Sequence, residues 1–337
     1  MADTVRWGIL ATGKIAHTFA RDLALVPDAE ITAVGSRRPE AARAFAEEHT
    51  RGTATAHGSY EALVADPAVD VVYVATPHAL HLDNARMAFE AGKHVLCEKP
   101  LTLTTADAEE LFASAKAHGR FVMEAMWMAC HPVIRTVRER LRAGDFGTPR
   151  SLRAEIGFRV DAPPEDRMFD PALGGGALLD MGVYPLTFAH LMLGEAEELS
   201  AQAGLAASGI DLDVAIAGRY PGGALAALTA SMTSWSSQTA AIATGQGRVE
   251  LPFSFYAPRH ATFTPRTPDG PGAPMRIDGA ERVIGQGYGN EIAHVNDCLR
   301  QGLLESPYVP HAQTLTLMRQ LDAVREQIGV RYAADDA

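Results

Sequence analysis

Cysteine is scarce in this chain of 337 residues: Cys97, Cys130 and Cys298 lie far apart, are odd in number and make no Cys-x-x-Cys pair. Neither a disulfide framework nor a cysteine zinc site is indicated, and a reducing compartment fits. Long hydrophobic runs are missing as well. No apolar run reaches the roughly 18 residues that span a bilayer, and the N-terminus through Arg6 lacks a basic region leading into a long apolar one. The expectation is a cytoplasmic protein without a membrane partner. Positive charge is also short: 30 Lys and Arg stand against 41 Asp and Glu, a net charge of -11. That balance disfavours nucleic acid as a partner, since a phosphate backbone rewards a basic face. An anionic ligand would need a local basic pocket. What remains is an ordinary folded balance, 47% hydrophobic and 21% charged, with no repeats and no low-complexity tail beyond Ala333–Ala337. The length suits two domains.

The first half alternates strand and helix. Val5–Leu10 (VRWGIL) reads as a buried strand, after which Ala11-Thr12-Gly13-Lys14-Ile15-Ala16 opens a helical pattern through Phe19, Leu23 and Leu25. Such a turn suits a dinucleotide: glycine lets the backbone approach a pyrophosphate, and the N–H groups at the helix start favour its charge. Ala11 and Ala16 replace the first and third glycines of G-x-G-x-x-G, so taken alone the turn fits a chance glycine turn equally well. Ala11, Thr12, Gly13, Lys14 and Ile15 are its candidate cofactor contacts.

A second strand, Glu30–Val34, ends in Gly35-Ser36-Arg37-Arg38. About 20 residues beyond the glycine turn, NAD-binding proteins usually carry an acid that binds the ribose 2′-hydroxyl. Here a hydroxyl and two guanidiniums take its place, a set that accepts a 2′-phosphate. Ser36, Arg37 and Arg38 therefore point to NADP(H), the alternative being a solvated helix start. The pattern continues with helix Pro39–His49, extended Thr53–Ala56, helical Tyr60–Ala65, strand Val69–Ala75, helix Leu80–Ala91, strand His94–Cys97, helix Thr105–His118 and strand Phe121–Glu124. This order predicts a parallel, doubly wound sheet over residues 1–125. His78 and His81, at i and i+3, can face one metal, but no third ligand of suitable spacing accompanies them and no metal is expected. His81 reads instead as a hydrogen bonder on the cofactor side.

Cys97-Glu98-Lys99-Pro100 stands where the fifth strand gives out, and ligands of open α/β sheets bind beyond the carboxyl ends of strands. By itself it is also an ordinary surface lysine before a turn proline. After Trp127 the character changes: a helix over Pro132–Ala143, then extended Ser151–Val160 with Leu152, Ala154, Ile156 and Phe158 on one face. Strand-like runs recur at Ile210–Tyr220, Ala224–Trp235 and Gln238–Thr244, with a turn at Gly245-Gln246-Gly247, and suit an antiparallel sheet in a second, α+β domain over 126–337. Pro265–Pro274 reads as a surface loop, and Asn290–Gln301 and Ala312–Ile328 as packing helices. Three glycines, Gly174-Gly175-Gly176, precede a helix on which Asp180 and Tyr184, at i and i+4, share a face. A carboxylate and a phenol there can grip a polyol and handle its proton, or be a helix-start aspartate and a core tyrosine. Trp127 and Phe158 suit either pocket walls or core; Arg159 and Arg167 are candidates for hydroxyl or phosphate contact.

Taken together, GILATGKIA (Gly8–Ala16), ATPHALH (Ala75–His81), GKHVLCEKPL (Gly92–Leu101), MEAMW (Met123–Trp127), GGGALLDMGVYP (Gly174–Pro185) and the tail Tyr288–Tyr332 resemble the Gfo/Idh/MocA oxidoreductases. MEAMW with an aspartate and a tyrosine four apart is most similar to the branch of dimeric dihydrodiol dehydrogenases and NADP-dependent D-xylose dehydrogenases. The resemblance implies an N-terminal Rossmann domain and a C-terminal domain with a large open, mostly antiparallel sheet, whose outer face serves subunit contact in a homodimer or homotetramer. It implies cofactor contacts at Ala75, Thr76, Pro77, Glu98 and Lys99, and a catalytic role for Lys99. Ala129 departs from the branch, where a basic residue is usual, and His131 is the available substitute.

The implied reaction is hydride transfer between C4 of NADP(H) and a carbon of a sugar, cyclitol or vicinal diol. Tyr184, as in the tyrosine-bearing branch, would move the oxygen's proton, its phenol acidified by Lys99, and Asp180 would anchor a neighbouring hydroxyl or orient Lys99. Alternatives are a glycosidase using transient oxidation with a tightly bound cofactor, and an NADP(H)-sensing regulator without turnover.

Overall fold

In the computed structural model, which describes residues 4–163, 165–332 and 335, the alternation of the first half becomes a parallel sheet of six strands. They are β1 (Val5–Leu10), β2 (Ala29–Gly35), β3 (Thr55–His57), β4 (Val71–Val74), β5 (His94–Glu98) and β6 (Val122–Ala125), in the order β3-β2-β1-β4-β5-β6. Helices α1 (Lys14–Leu23), α2 (Pro39–Thr50), α3 (Tyr60–Val64), α4 (His81–Glu90) and α5 (Thr105–Ala117) supply the crossovers. Strands covered on both faces carry near-continuous apolar runs, and Val71-Val72-Tyr73-Val74 is buried throughout. The strand order reverses between β1 and β4, the switch point at which ligands enter such sheets. Register puts Leu10 beside Val74, Val74 beside Cys97 and Cys97 beside Glu124. The turns after β1, β4 and β5 therefore leave the sheet along one edge.

The chain divides into two units: the first takes residues through Cys130 together with Val283–Leu315, the second His131–Arg282 and the residues from Thr316 on. This differs from a single cut after residue 125, because the helix Tyr288–Arg300 is built into the first unit. Asp22 of α1, only 3% exposed, accepts the N–H groups of Gln286 (2.8 Å), Tyr288 (3.1 Å) and Gly289 (3.4 Å) on one oxygen. It thereby supplies the helix with the side-chain acceptor its own N-cap, Gly287, lacks. Trp7 of β1 donates its indole N–H to Asn296 at 3.1 Å.

The second unit is organised on a mixed, mostly antiparallel sheet of nine strands: β7 (Pro149–Gly157), β8 (Glu198–Leu205), β9 (Asp211–Tyr220), β10 (Ala224–Ser231), β11 (Ala240–Thr244), β12 (Gly247–Leu251), β13 (Ala261–Thr267), β14 (Gly270–Pro271) and β15 (Met275–Ile277). Its order is β14-β13-β12-β11-β7-β10-β9-β8, with β15 on β13 and a parallel β7–β10 pair at the centre. Leu152, Ala154, Ile156, Val214, Ile216, Leu228 and Ile242 are buried on one face, which packs against the helix Val183–Leu193. The opposite face is lined by rows of paired residues: Ala217, Ala227, Arg153, Ala241, Glu250 in one, and Arg219, Leu225, Ser151, Ala243, Arg248 in the next. Phe158 falls just beyond the end of β7 rather than within it. Pro265–Pro274, expected as a loop, instead continues β13 and turns back through β14, with Arg266 opposite Pro271. The stretch Pro171–Leu193 is long and apolar enough to cross a membrane, but 83% of its apolar window is buried inside the fold, as a core helix is. The tail Ala333–Ala337 lies outside the described residues except for Asp335.

Replacing Asp22 with Ala orphans buried amide donors, so the urea midpoint of the first unit should fall by the equivalent of about 2–3 kcal/mol. Asp22→Asn, which keeps an acceptor, should lose less than half of that. An Ala variant as stable as wild type would remove Asp22 as the tie between α1 and Tyr288–Arg300.

Candidate active site

The turn after β1 has the backbone of a nucleotide loop despite its missing glycine. Ala11 holds φ at +80°, the left-handed region that glycine occupies without cost, while its N–H donates to Gly35 at 3.0 Å. Gly13 is the N-cap of α1 and has no side-chain cap. A Cβ on Gly13 would meet nothing within 4 Å, so the first N–H groups of α1 face open space of the kind a pyrophosphate takes. Thr12, Lys14 and Ile15 flank it and are not buried. At the end of β2, Ser36 is buried and accepts the Arg38 N–H at 3.3 Å, leaving Arg37 and Arg38 exposed. No acid stands beside them in the chain. These groups fit a dinucleotide, and one with a 2′-phosphate.

His81 has a different place from the one expected. It is wholly buried; Nε2 faces the Thr76 carbonyl at 2.9 Å, and Nδ1 faces those of Pro100 and Leu101 at 3.1 Å each. With both ring nitrogens taken by backbone oxygens, His81 ties the Ala75-Thr76-Pro77 turn to the Glu98-Lys99-Pro100 turn instead of facing a nucleotide. Asn84 adds a bond to Thr76 Oγ1 at 3.2 Å. Both turns are thus supported from below.

Lys99 is half-buried and sits over an acidic bed. Glu98, 6% exposed, accepts a short hydrogen bond from Tyr73 Oη and one from its neighbour's amide, Lys99 N, at 3.2 Å. Glu124, wholly enclosed, accepts Leu101 N at 3.1 Å and Thr314 Oγ1 at 2.9 Å; burial pushes its pKa up to about 7, against the pull of those bonds and of the Lys99 ammonium. Glu291, from the helix Tyr288–Arg300, is fully buried with neither oxygen hydrogen-bonded. Burial, then the charges of Glu98 and Glu124, push its pKa far up. Trp127 is 5% exposed and stacks on Tyr288 at 4.4 Å, a packing role within this unit.

In the second unit, Asp180 lies in a π-helical turn, Leu178–Gly182, that runs directly into the helix Val183–Leu193 bearing Tyr184. Arg167 donates to Asp180 at 3.3 Å, so these two candidates are brought together. Tyr184 is 8% exposed, with Tyr256 against its ring at 5.1 Å. Arg159 is instead three-quarters exposed and paired with Asp161 at 2.7 Å, and Phe158 is half-buried. His131 does not stand in for a basic residue beside Ala129: burial lowers its pKa to about 4, which keeps it neutral.

The sequence reading passed over Asp211, the first residue of β9, which builds the turn in front of Asp180. It is completely buried and accepts Leu178 N at 2.5 Å, and a Cβ at Gly176 (φ +129°) would collide with its other oxygen. Gly176 N donates to Met168 O at 3.1 Å, and Tyr332 Oη to Gly175 O at 3.0 Å. The glycine run is therefore set by close approach. Burial pushes Asp211 up to about 7. With Asp213 two residues on in the same strand, Asp211 carries no distinguishing sequence signal, whereas an acid inside Val122–Ala125 was the signal for Glu124.

Comparison with known proteins places this geometry. Residues 5–126 match the family described as "Oxidoreductase family, NAD-binding Rossmann fold", and 134–250 match the "GFO/IDH/MocA C-terminal domain". Trans-1,2-dihydrobenzene-1,2-diol dehydrogenase of Mus musculus is 35% identical over 335 residues, 98% of this chain and 99% of that one. The human enzyme of that name is 34% identical over 335 residues, with the same coverage. Among solved structures, KijD10, a 3-ketoreductase from Actinomadura kijaniata in complex with NADP and TDP-benzene, superposes with a TM-score of 0.86 at 29% identity, over 98% of this chain and 99% of that one. An aldose-aldose oxidoreductase from Caulobacter crescentus shares the fold, at TM-score 0.85 and 24% identity over 96% and 97% of the two chains.

Asp211 gives a pH dependence whose sign is fixed. An acid raised from its ordinary 3.8 to about 7 in the folded state contributes stability that is complete below about pH 4 and lost as pH rises through about 7. The thermal midpoint should therefore carry a falling contribution between about pH 4 and 7.5, and Asp211→Asn, which stays neutral and can still accept from Leu178 N, should remove that contribution. Equal slopes in both proteins would contradict the assignment.

Proposed function

From the chain's membership of the Gfo/Idh/MocA oxidoreductase family, whose N-terminal domain binds a nicotinamide cofactor, we propose that it is an NADP(H)-dependent oxidoreductase of vicinal diols or sugars. The observation that carries this is Lys99: an ammonium at the carboxyl end of β5, on the same sheet edge as the uncapped start of α1. Ala11–Ile15 would receive the pyrophosphate, Ser36, Arg37 and Arg38 the 2′-phosphate, and Ala75–Pro77 with Glu98 the nicotinamide end. When bound, the cofactor exchanges a hydride with the carbon of an alcohol or carbonyl. Diols and a keto sugar suit the names of the relatives.

The protein's own part is proton and charge. Tyr184 exchanges the oxygen's proton, Lys99 offsets negative charge on that oxygen, and Asp180, oriented by Arg167, accepts from a neighbouring hydroxyl. Arg159, engaged with Asp161 at the surface, has no place in this scheme. Reduced cofactor is followed by its absorbance with trans-dihydrobenzenediol and with aldoses, using NADP and NAD in parallel. Tyr184→Phe and Lys99→Ala should each lower turnover by about 10² to 10⁴ while NADP(H) still binds, and the double variant should lose little more than either single one, as groups acting as a unit do. Additive losses, full turnover in Tyr184→Phe, or tighter binding of NAD than NADP would each overturn the corresponding assignment.

The open face of the nine-stranded sheet supports a second part of the proposal, a homo-oligomer. Ala217, Ala227, Ala241 and Ala243 make its centre flat enough for another sheet, and Leu225, 57% exposed, is an apolar anchor. Arg219 with Glu198 at one side and Arg248 with Glu250 at the other form a charged rim of both signs. Ala227→Glu places a charge at that centre and should convert the assembly to monomers in light scattering. An unchanged mass, or a wild type that is already monomeric, would exclude this face.

A further inference from the structure

α1 and α2 bring together side chains that the redox reading does not use. His17, one turn into α1, and Glu48 and His49, in the last turn of α2, converge so that their ligand atoms all lie within 4.8 Å of one another. His17 Nδ1 and His49 Nε2 are 2.7 Å apart. One oxygen of Glu48 is 3.4 Å from His17 Nδ1 and the other is 3.4 Å from His49 Nε2. The rings are held by packing: Phe45 lies 4.6 Å from the His17 ring and 4.5 Å from that of His49. The two histidine side chains are 30% and 6% exposed, whereas Glu48 at 55% keeps one side of the cluster open to water.

We infer that His17, Glu48 and His49 form a binding site for a divalent transition ion of the zinc or cobalt type, bridging α1 and α2. Tetrahedral zinc with bonds of about 2.0–2.1 Å separates its ligand atoms by about 3.3 Å along each edge. Each imidazole already stands at about that length from a carboxylate oxygen, though from a different one of the two, so the exposed Glu48 must turn to bring one oxygen to both rings, and the rings must part by about 0.6 Å, from 2.7 to about 3.3 Å. Two nitrogens this close are joined by one proton; when the ion takes its place, that proton moves to the distal nitrogen of its ring and both imidazoles stay neutral. The ligand set, two neutral imidazoles and a carboxylate with a fourth position left to water, is one that zinc and its neighbours accept. Burial, joined by His17 and Arg21, lowers the pKa of His49 against the opposing pull of Glu48, and so favours the neutral ring that metals require. The position gives the ion a consequence: α1 begins at the nucleotide turn and α2 just after Arg37 and Arg38, so a loaded site braces both helices that frame the adenosine end.

The test uses the full, untagged chain, stripped with chelator and titrated with cobalt(II) in the absence of any nicotinamide nucleotide. We expect one ion per chain, with the visible absorption of low-coordinate cobalt, and a thermal midpoint raised by zinc. In Glu48→Gln, a substitution at an exposed position, and in His17→Asn, affinity should fall at least about tenfold and the zinc-induced shift should vanish, while the metal-free proteins melt as wild type does. The inference fails if wild type binds less than stoichiometric cobalt at millimolar concentration, or if either variant binds as wild type does. Its readouts involve no turnover, so failure of the redox assignment would leave them unaffected.

Discussion

Acid groups withdrawn from water behind the ends of β5 and β6 are the constraint on which the Lys99 turn rests. Glu98, Glu124 and Glu291 act on one another electrostatically in an interior where each ionised carboxyl is costly and neighbouring ones cannot all ionise. The cluster resolves this unequally. Glu98 receives the Tyr73 hydroxyl and a main-chain N–H, and Glu124 receives a main-chain N–H and the Thr314 hydroxyl. Glu291 receives no hydrogen bond, and its pKa is pushed far up. Tyr73 is fixed in turn by stacking on Phe19 of α1 at 3.7 Å, and Phe19 leans on Trp7 at 5.5 Å. The turn that carries Lys99 is thus placed by contacts reaching back to the first strand and first helix.

That dependence explains what a reader of the sequence can and cannot extract. Strands with continuous apolar runs, such as Val5–Leu10, Val71–Val74 and His94–Glu98, announce themselves because burial on both faces demands it. The turns after them are legible for the same reason: Gly13 before a helix and Glu-Lys-Pro after a strand are local patterns. β8 is not legible. As an edge strand with only Ala201 deeply buried, Glu198–Leu205 has no hydrophobic alternation to read. Glu124, Glu291 and Asp211 are invisible for another reason, since an acid looks solvated in a sequence until the chain has folded around it. His81 is the instructive intermediate case: its turn is legible from the sequence, but which carbonyls occupy its nitrogens depends on a turn some twenty positions away in the chain. The helix Tyr288–Arg300 likewise reads as a helix from spacing alone, whereas its attachment to α1 rests on Asp22, far off in the chain.

Two of the places where local rules are broken fall on the proposed chemistry. Ala11 adopts a backbone conformation that disfavours any residue with a Cβ, at a cost of order 1 kcal/mol, and it does so in the turn that opens α1. Leu178–Gly182 widens a helix into a π turn, a geometry less favourable than the α-helix that follows it and frequent at functional sites. That turn persists because its start is over-determined: Asp211 accepts its first amide, Tyr332 donates to Gly175, and Gly176 leaves no room for a side chain against Asp211. An ordinary α-helical start would need none of these buried polar groups and would rotate Asp180 relative to Tyr184. A buried, raised carboxyl is a burden on stability above neutral pH, and here it is the acceptor that fixes the first amide of the turn bearing Asp180. The acidic bed under Lys99 is a like case: an apolar core in its place would often cost folding nothing, and it keeps Glu124 within reach of the charge of that ammonium.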